Sequence, residues 1–467
     1  MEYKPIPIGI ENFEKMITSG YYYVDKTWFI KELIDKKGEI NLFTRPRRFG
    51  KSLCLSMVRH FFEKHEKNEK GWAHLFEGLK IMSAGEQYTS EMNKYPVIML
   101  TLKNIERNTY EQSNVQMRYE FIREFRRHRY LLNSEVLDSD QKNSYIEILN
   151  DEPDNSKIIN SIAFLSECLM RHYGEKVIIL IDEYDVPLER SYFFGYYDEM
   201  INDIRLLFNS ALKTNEALAF AVITGCLRVS KESIFTGFNN PKIISITSGM
   251  YGEYFGFTDD EVAGAFDFYK LGHKLDEARQ WYNGYVFGNT NVYNPWSILN
   301  FIQDSDENEV WYPRPYWANT SSNYIIRDLV DIADGDARNE IEALIRGESI
   351  TKPIHEDVVY SEINQDINNL WNFLYFTGYL KKTGESYSNT QIYYDLRIPN
   401  IEVTTIYVRK ISEWFKDKVK AADMDTMYAA ILASDAEKFE AELSALPLFG
   451  FGHELITLLF HSPGLSP

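Results

Sequence analysis

Residues 44–52 read TRPRRFGKS, and three of them, Gly50, Lys51 and Ser52, stand at the spacing of the phosphate-loop pattern GxxxxGK[ST]. The fourth required position holds Arg45 instead of glycine. In such a loop, successive N–H groups and the helix amino terminus form an anion cradle. The lysine reaches the β- and γ-phosphates, and the serine hydroxyl ligates Mg²⁺. The loop residues Arg47, Arg48, Phe49, Gly50, Lys51, Ser52 and Leu53 are therefore the candidate nucleotide contacts. A basic surface turn that happens to end in Gly-Lys-Ser is the plainer alternative.

A second acidic feature bears on that choice. VIILIDEYD is an apolar run ending in Asp182 and Glu183, and the carboxyl end of a parallel strand is where α/β sheets bind ligands. Asp182 is the expected Mg²⁺ carboxylate beside Ser52, and Glu183 the group that polarises the attacking water. Asp185 reads as a helix cap. A third run, AVITGCLR, ends in Thr224 and Arg228. Thr224 is placed to meet the lytic water or γ-phosphate if its strand neighbours the loop strand, and Arg228 to approach the γ-phosphate. A surface arginine paired with an acid is the competing reading for Arg228.

These residues need a scaffold. Apolar runs at 39–44, 95–102, 176–182, 217–225 and 242–247 do not alternate with polar residues, as expected of strands covered on both faces. Amphipathic stretches at 115–130, 157–172 and 199–213 separate most of them. The expected fold class is α/β, a phosphate-loop parallel sheet flanked by helices over 1–250. Residues 251–349, aromatic helices broken by Gly, Asn and Pro, read as a helical lid, with a capping box at Thr258 and Glu261. Residues 350–415 read as helix, hairpin and helix, a winged-helix-like module, and 416–467 as a loosely attached helical tail.

Bulk properties narrow the classes. The chain has 467 residues with a formal net charge of −19, which argues against coating nucleic acid over the whole surface. Arginines interleave with aromatics at 118–130, a solvated helix face or a local nucleic-acid groove. Cys54, Cys168 and Cys226 lack CxxC spacing, and no HExxH or GxSxG occurs. No apolar run approaches the roughly 18 residues of a membrane span, and no export signal opens the chain. A cytoplasmic protein without membrane attachment is expected.

Taken together, YYYVDKTWFIKELI, RPRRFGKSLCLSM, LIDEYDVPL, TGCLRVSKESIFTGFNN, YFGFTDDEV, WYNGY and YNPWSIL resemble the predicted AAA-ATPase-like family of bacterial proteins, from the amino terminus to about residue 410. The loop is also similar to the GPRRxGKT loop of archaeal-type signal-transduction ATPases. The resemblance implies ATP and Mg²⁺ as ligands, hydrolysis as the activity, and arginine as an ordinary first loop residue. Family members usually continue into a PD-(D/E)XK nuclease-like domain, and this chain is expected to stop about where that domain begins, so nuclease activity is not carried over. A slow nucleotide-loaded switch and a DNA-associated effector remain the alternatives, with a protein partner or self-association left open.

Overall fold

The computed structural model describes residues 2–66, 71–151, 155–213, 215–228, 241–308, 310–319, 326, 333, 335–356, 360 and 366–421. They fall in two compact units. One comprises described residues of Met1–Gly272, Val286–Asp306 and Asp357–Ser361, the other those of His273–Tyr285, Glu307–Glu356 and Glu362–Pro467.

The first unit is built on a parallel sheet of β1 (Ile40–Thr44), β2 (Val97–Thr101), β3 (Val177–Asp182), β4 (Leu218–Gly225) and β5 (Lys242–Ile244). The spatial order is β2-β3-β4-β1-β5, and every pairing is parallel. All five residues of β1 and all six of β3 are buried. Successive side chains point to opposite faces, so unbroken burial means both faces are covered. Each of the five apolar runs predicted as a strand is one.

The helix Lys51–Phe62 contacts β2, β3 and β4, Tyr110–Arg127 contacts β2, and Asn155–Tyr173 contacts β3. Tyr197–Phe208 completes the expected set and passes into a π-helical turn at Asn209–Lys213. Most arginines predicted to interleave with aromatics meet acids: Arg118 pairs with Asp151, Arg123 with Glu120, and Arg127 with both Glu63 and Glu124. That is the pattern of an ion-paired helix face.

Beyond the sheet, Asp259–Phe268 begins with the expected capping box. The Thr258 hydroxyl accepts from the Glu261 amide at 3.4 Å, and Glu261 accepts from the Thr258 amide at 2.8 Å. The second unit carries an antiparallel sheet in which Gln391–Arg397 lies between Ile350–Pro353 and Lys381–Ser388. Asn389 and Thr390, both at positive φ, turn the hairpin. Helices Ile367–Phe376 and Ile401–Ala421 precede and follow the hairpin as expected, whereas the strand Ile350–Pro353 was not expected. The tail expected over 416–467 lies outside the described residues beyond Ala421.

Candidate functional site

Register sets the geometry. Phe43 pairs with Thr224 and Thr44 with Gly225 across β1 and β4, while Ile181 pairs with Ile223 across β3 and β4. The strand bearing Thr224 thus lies between the loop strand and the strand ending at Asp182, and all three reach the same edge. A cavity of about 730 Å³ lined by Glu39, Glu91 and Lys176 lies at the opposite, amino-terminal ends of the strands.

The loop between β1 and its helix needs left-handed backbone at two positions, Gly50 (φ 83°) and Arg48 (φ 69°). Gly50 adopts it freely, whereas at arginine it costs on the order of 1 kcal/mol or more. Gly50 is also the N-cap, with no side chain capping the helix and no acid in the first turn. The first amide to find a helical acceptor is that of Cys54, bonded to Gly50 O at 3.0 Å. The amides of Lys51, Ser52 and Leu53 precede it, as the first N–H groups of any helix do. An uncapped helix start beside lysine and serine has the dipole and free N–H groups that favour an anion.

The acidic strand end meets that helix start directly. Ser52 Oγ donates to Asp182 Oδ2 at 2.6 Å, and Thr224 Oγ1 donates to Asp182 Oδ1, also at 2.6 Å. Residues 130 and 42 positions from Asp182 in the chain therefore converge on its two oxygens.

Residues 7–235 match the family described as predicted AAA-ATPase. The chain is also similar to an "uncharacterized protein in vnfD 5'region" of Azotobacter chroococcum mcd 1. The two are 27% identical over 407 residues, 86% of this chain and 69% of the relative.

Within the segment that matches this family, Glu183 follows Asp182 at φ 52°, left-handed backbone that a non-glycine residue adopts at a cost. Its amide lies 3.4 Å from Thr224 Oγ1, and its side chain is half-buried. Lys51 is almost fully buried, with Nζ 3.1 Å from both Arg45 O and Pro46 O and 3.6 Å from Cys226 Sγ. Burial alone would lower the ammonium's pKa, but Cys226, Glu183, Asp185 and Asp182 raise it on balance. Burial pushes the Cys226 thiol up to about 11, so near neutral pH it is uncharged and the carboxylates supply the attraction. Burial, together with Glu183, also raises the pKa of Asp182 against the pull of Ser52, Thr224 and Lys51. Two adjacent carboxylates with a hydroxyl oxygen are hard donors that suit Mg²⁺.

The remaining predicted residues are placed as follows. Arg47 pairs with Glu189; burial lowers its pKa, and Glu189 more than restores it. Arg48 is exposed and lies over the Trp296 ring at 4.4 Å. Phe49 is buried against Phe287, ring centroids 5.0 Å apart. Leu53 and Arg228 are half-buried, Arg228 being the last described residue after β4.

Asp185 corrects its prediction. It occupies the N-cap position of Val186–Phe194, but its carboxylate makes no cap bond. Asp185 Oδ2 instead accepts from the amides of Cys226 and Leu227 at 2.7 and 2.9 Å. Tyr184 OH donates to Leu227 O at 2.6 Å. Together they latch the loop after β4 to the loop after β3. Sequence reasoning missed this latch and the position of Cys226 beside Lys51; the signal available was a turn-forming Gly-Cys straight after an apolar strand.

Proposed function

We propose that the first unit binds ATP with Mg²⁺ at the 51–62 helix start and hydrolyses it. The observation that carries this reading is the Ser52–Asp182 hydrogen bond, which brings the loop helix and the acidic strand end to one point. Amides at the helix start and the Lys51 ammonium hold the phosphates. Ser52 and Asp182 would hold the cation, which spreads phosphate charge when bound.

Glu183 is the group assigned to the attacking water. It follows Asp182 directly, and its left-handed backbone is strain of the sort stored at functional positions. Thr224 commits its proton to Asp182, so its assigned part is to orient Asp182 and, through the Glu183 amide, the base. Arg228 is assigned to the γ-phosphate, where charge moves in the transition state.

Single-turnover hydrolysis of ATP tests the assignment of Glu183. Glu183→Gln keeps shape and polarity but removes the base, so hydrolysis should fall by roughly 10² to 10⁴ while ATP binding persists. Wild-type hydrolysis by that variant would remove Glu183 from the chemistry.

A further inference from the structure

Arg45 stands where the phosphate-loop pattern has its first glycine, and its side chain has no exposed surface. A glycine there serves a tight local turn. Arg45 is absent from the positive-φ positions among the described residues, so the chain does not use it in that way.

Its contacts are long-range. The Arg45 amide extends the β1–β4 ladder by donating to Gly225 O at 3.0 Å. Nη1 donates to Thr44 O and to Ile244 O, each at 2.9 Å. The guanidinium carbon lies 5.2 Å from the Phe255 ring centre and 5.0 Å from that of Phe287. Burial is the one cause that moves its pKa, down to about 9, so the group stays charged at neutral pH. A buried cation offset by ring faces and carbonyls instead of a carboxylate is a costly way to fill space. An apolar side chain would do that more cheaply.

The same clamp grips the other end of the loop. The Phe287 ring packs on Phe49, and Phe49 O accepts from the Gly256 amide at 3.2 Å. A Cβ at Gly256 would lie 3.0 Å from Tyr293 O and 3.1 Å from Phe49 Cδ1, so the approach is close. Residues 255, 256 and 287 thus hold the first and fifth loop positions together.

We propose that Arg45 is a positioning residue. It pins the start of the loop to the end of β5 and to the Phe255–Phe287 clamp, achieving by distant contacts what glycine achieves by a local turn. That the pinned amides then serve a nucleotide rests on the reading above.

The test uses the full chain and the variants Arg45→Met, Arg45→Lys and Phe287→Leu. Without nucleotide, Arg45→Met should speed amide hydrogen exchange at 47–50 and at Gly256 by about tenfold, the scale of one anchoring contact, with β3 unchanged. Arg45→Lys should restore part of the protection because it keeps the charge between the rings. Phe287→Leu should reproduce the pattern with Arg45 intact, and it decides the matter if Arg45→Met does not fold. Exchange at wild-type rates in the folded variants would overturn the proposal. Mg-ATP affinity is then read by calorimetry, where Arg45→Met should weaken binding by about tenfold and Arg45→Lys by less. Failure of wild type to bind ATP would sink the nucleotide reading, whereas the exchange pattern judges the pin independently.

Discussion

Asp182 accepts a hydroxyl proton on each oxygen, from Ser52 and from Thr224, and it sits next to a second carboxylate in a buried edge. Asp182→Asn keeps a side chain of the same shape and removes one charge, so ATP binding should need about tenfold more Mg²⁺. A titration of Mg²⁺ at fixed ATP reads this directly; an unchanged midpoint would make Asp182 a hydrogen-bonding post only. Asp185 carries a different consequence. Burial pushes its pKa up to about 6, above the usual carboxylate range, although the Leu227 and Cys226 amides and Lys51 oppose the shift. The folded state therefore holds this proton more tightly than the unfolded chain does. The stability contributed by protonation is fully present below about pH 4 and is lost as pH rises through about 6. Asp185→Asn retains an acceptor for both amides and cannot ionise, so its melting temperature relative to wild type should climb between pH 4 and pH 7. A constant difference across that range would assign the pH dependence elsewhere.

At the scale of elements, the latch between the loops after β3 and β4 leaves no room beneath Gly225. A Cβ there would lie 2.6 Å from Tyr184 Cε1 and 2.7 Å from Asp185 Oδ1, and Tyr184 is fully buried. Gly225→Ala should cost about 1–3 kcal/mol, the usual range for overpacking, in a denaturant titration; a neutral substitution would show that the latch gives way. The strands were legible because buried parallel strands are continuous apolar runs, as VIILID is, and the helix starts because Thr258 and Glu261 carry local capping chemistry. That Ser52, Asp182 and Thr224 share one sheet edge was legible because each lies at or next to the end of an element there; that Thr224 donates to Asp182 was not, since its sequence position pointed to the lytic water or γ-phosphate. The partners of Arg45 were not. Ile244, Phe255 and Phe287 lie about 200 positions or more away, and periodicity tells which face a residue occupies, never which distant ring meets it. Asp185 misled for a related reason: its local position is that of a cap, but two amides on a neighbouring strand loop offer its carboxylate better partners.

At the scale of the whole molecule, a chain with net charge −19 must bind a polyanion against its own field. The field of distant acids is screened over about 8 Å at physiological ionic strength, while Arg45, Arg47, Arg48 and Lys51 fall within seven consecutive positions. Arg45 is engaged by carbonyls and rings, Arg47 by Glu189 and Arg48 by the Trp296 ring, which leaves Lys51 and the helix amides, with Arg228 at the γ-phosphate, as the groups proposed to face the phosphates. No described helix is long and apolar enough to cross a membrane. A triphosphate held at the 51–62 helix start should register in a calorimetric titration of the full chain with Mg-ATP. Wild type should show saturable binding at one site per chain, and Lys51→Ala, correctly folded by circular dichroism, should lose it. Absence of binding by wild type, or equal binding by Lys51→Ala, would rule out a triphosphate there.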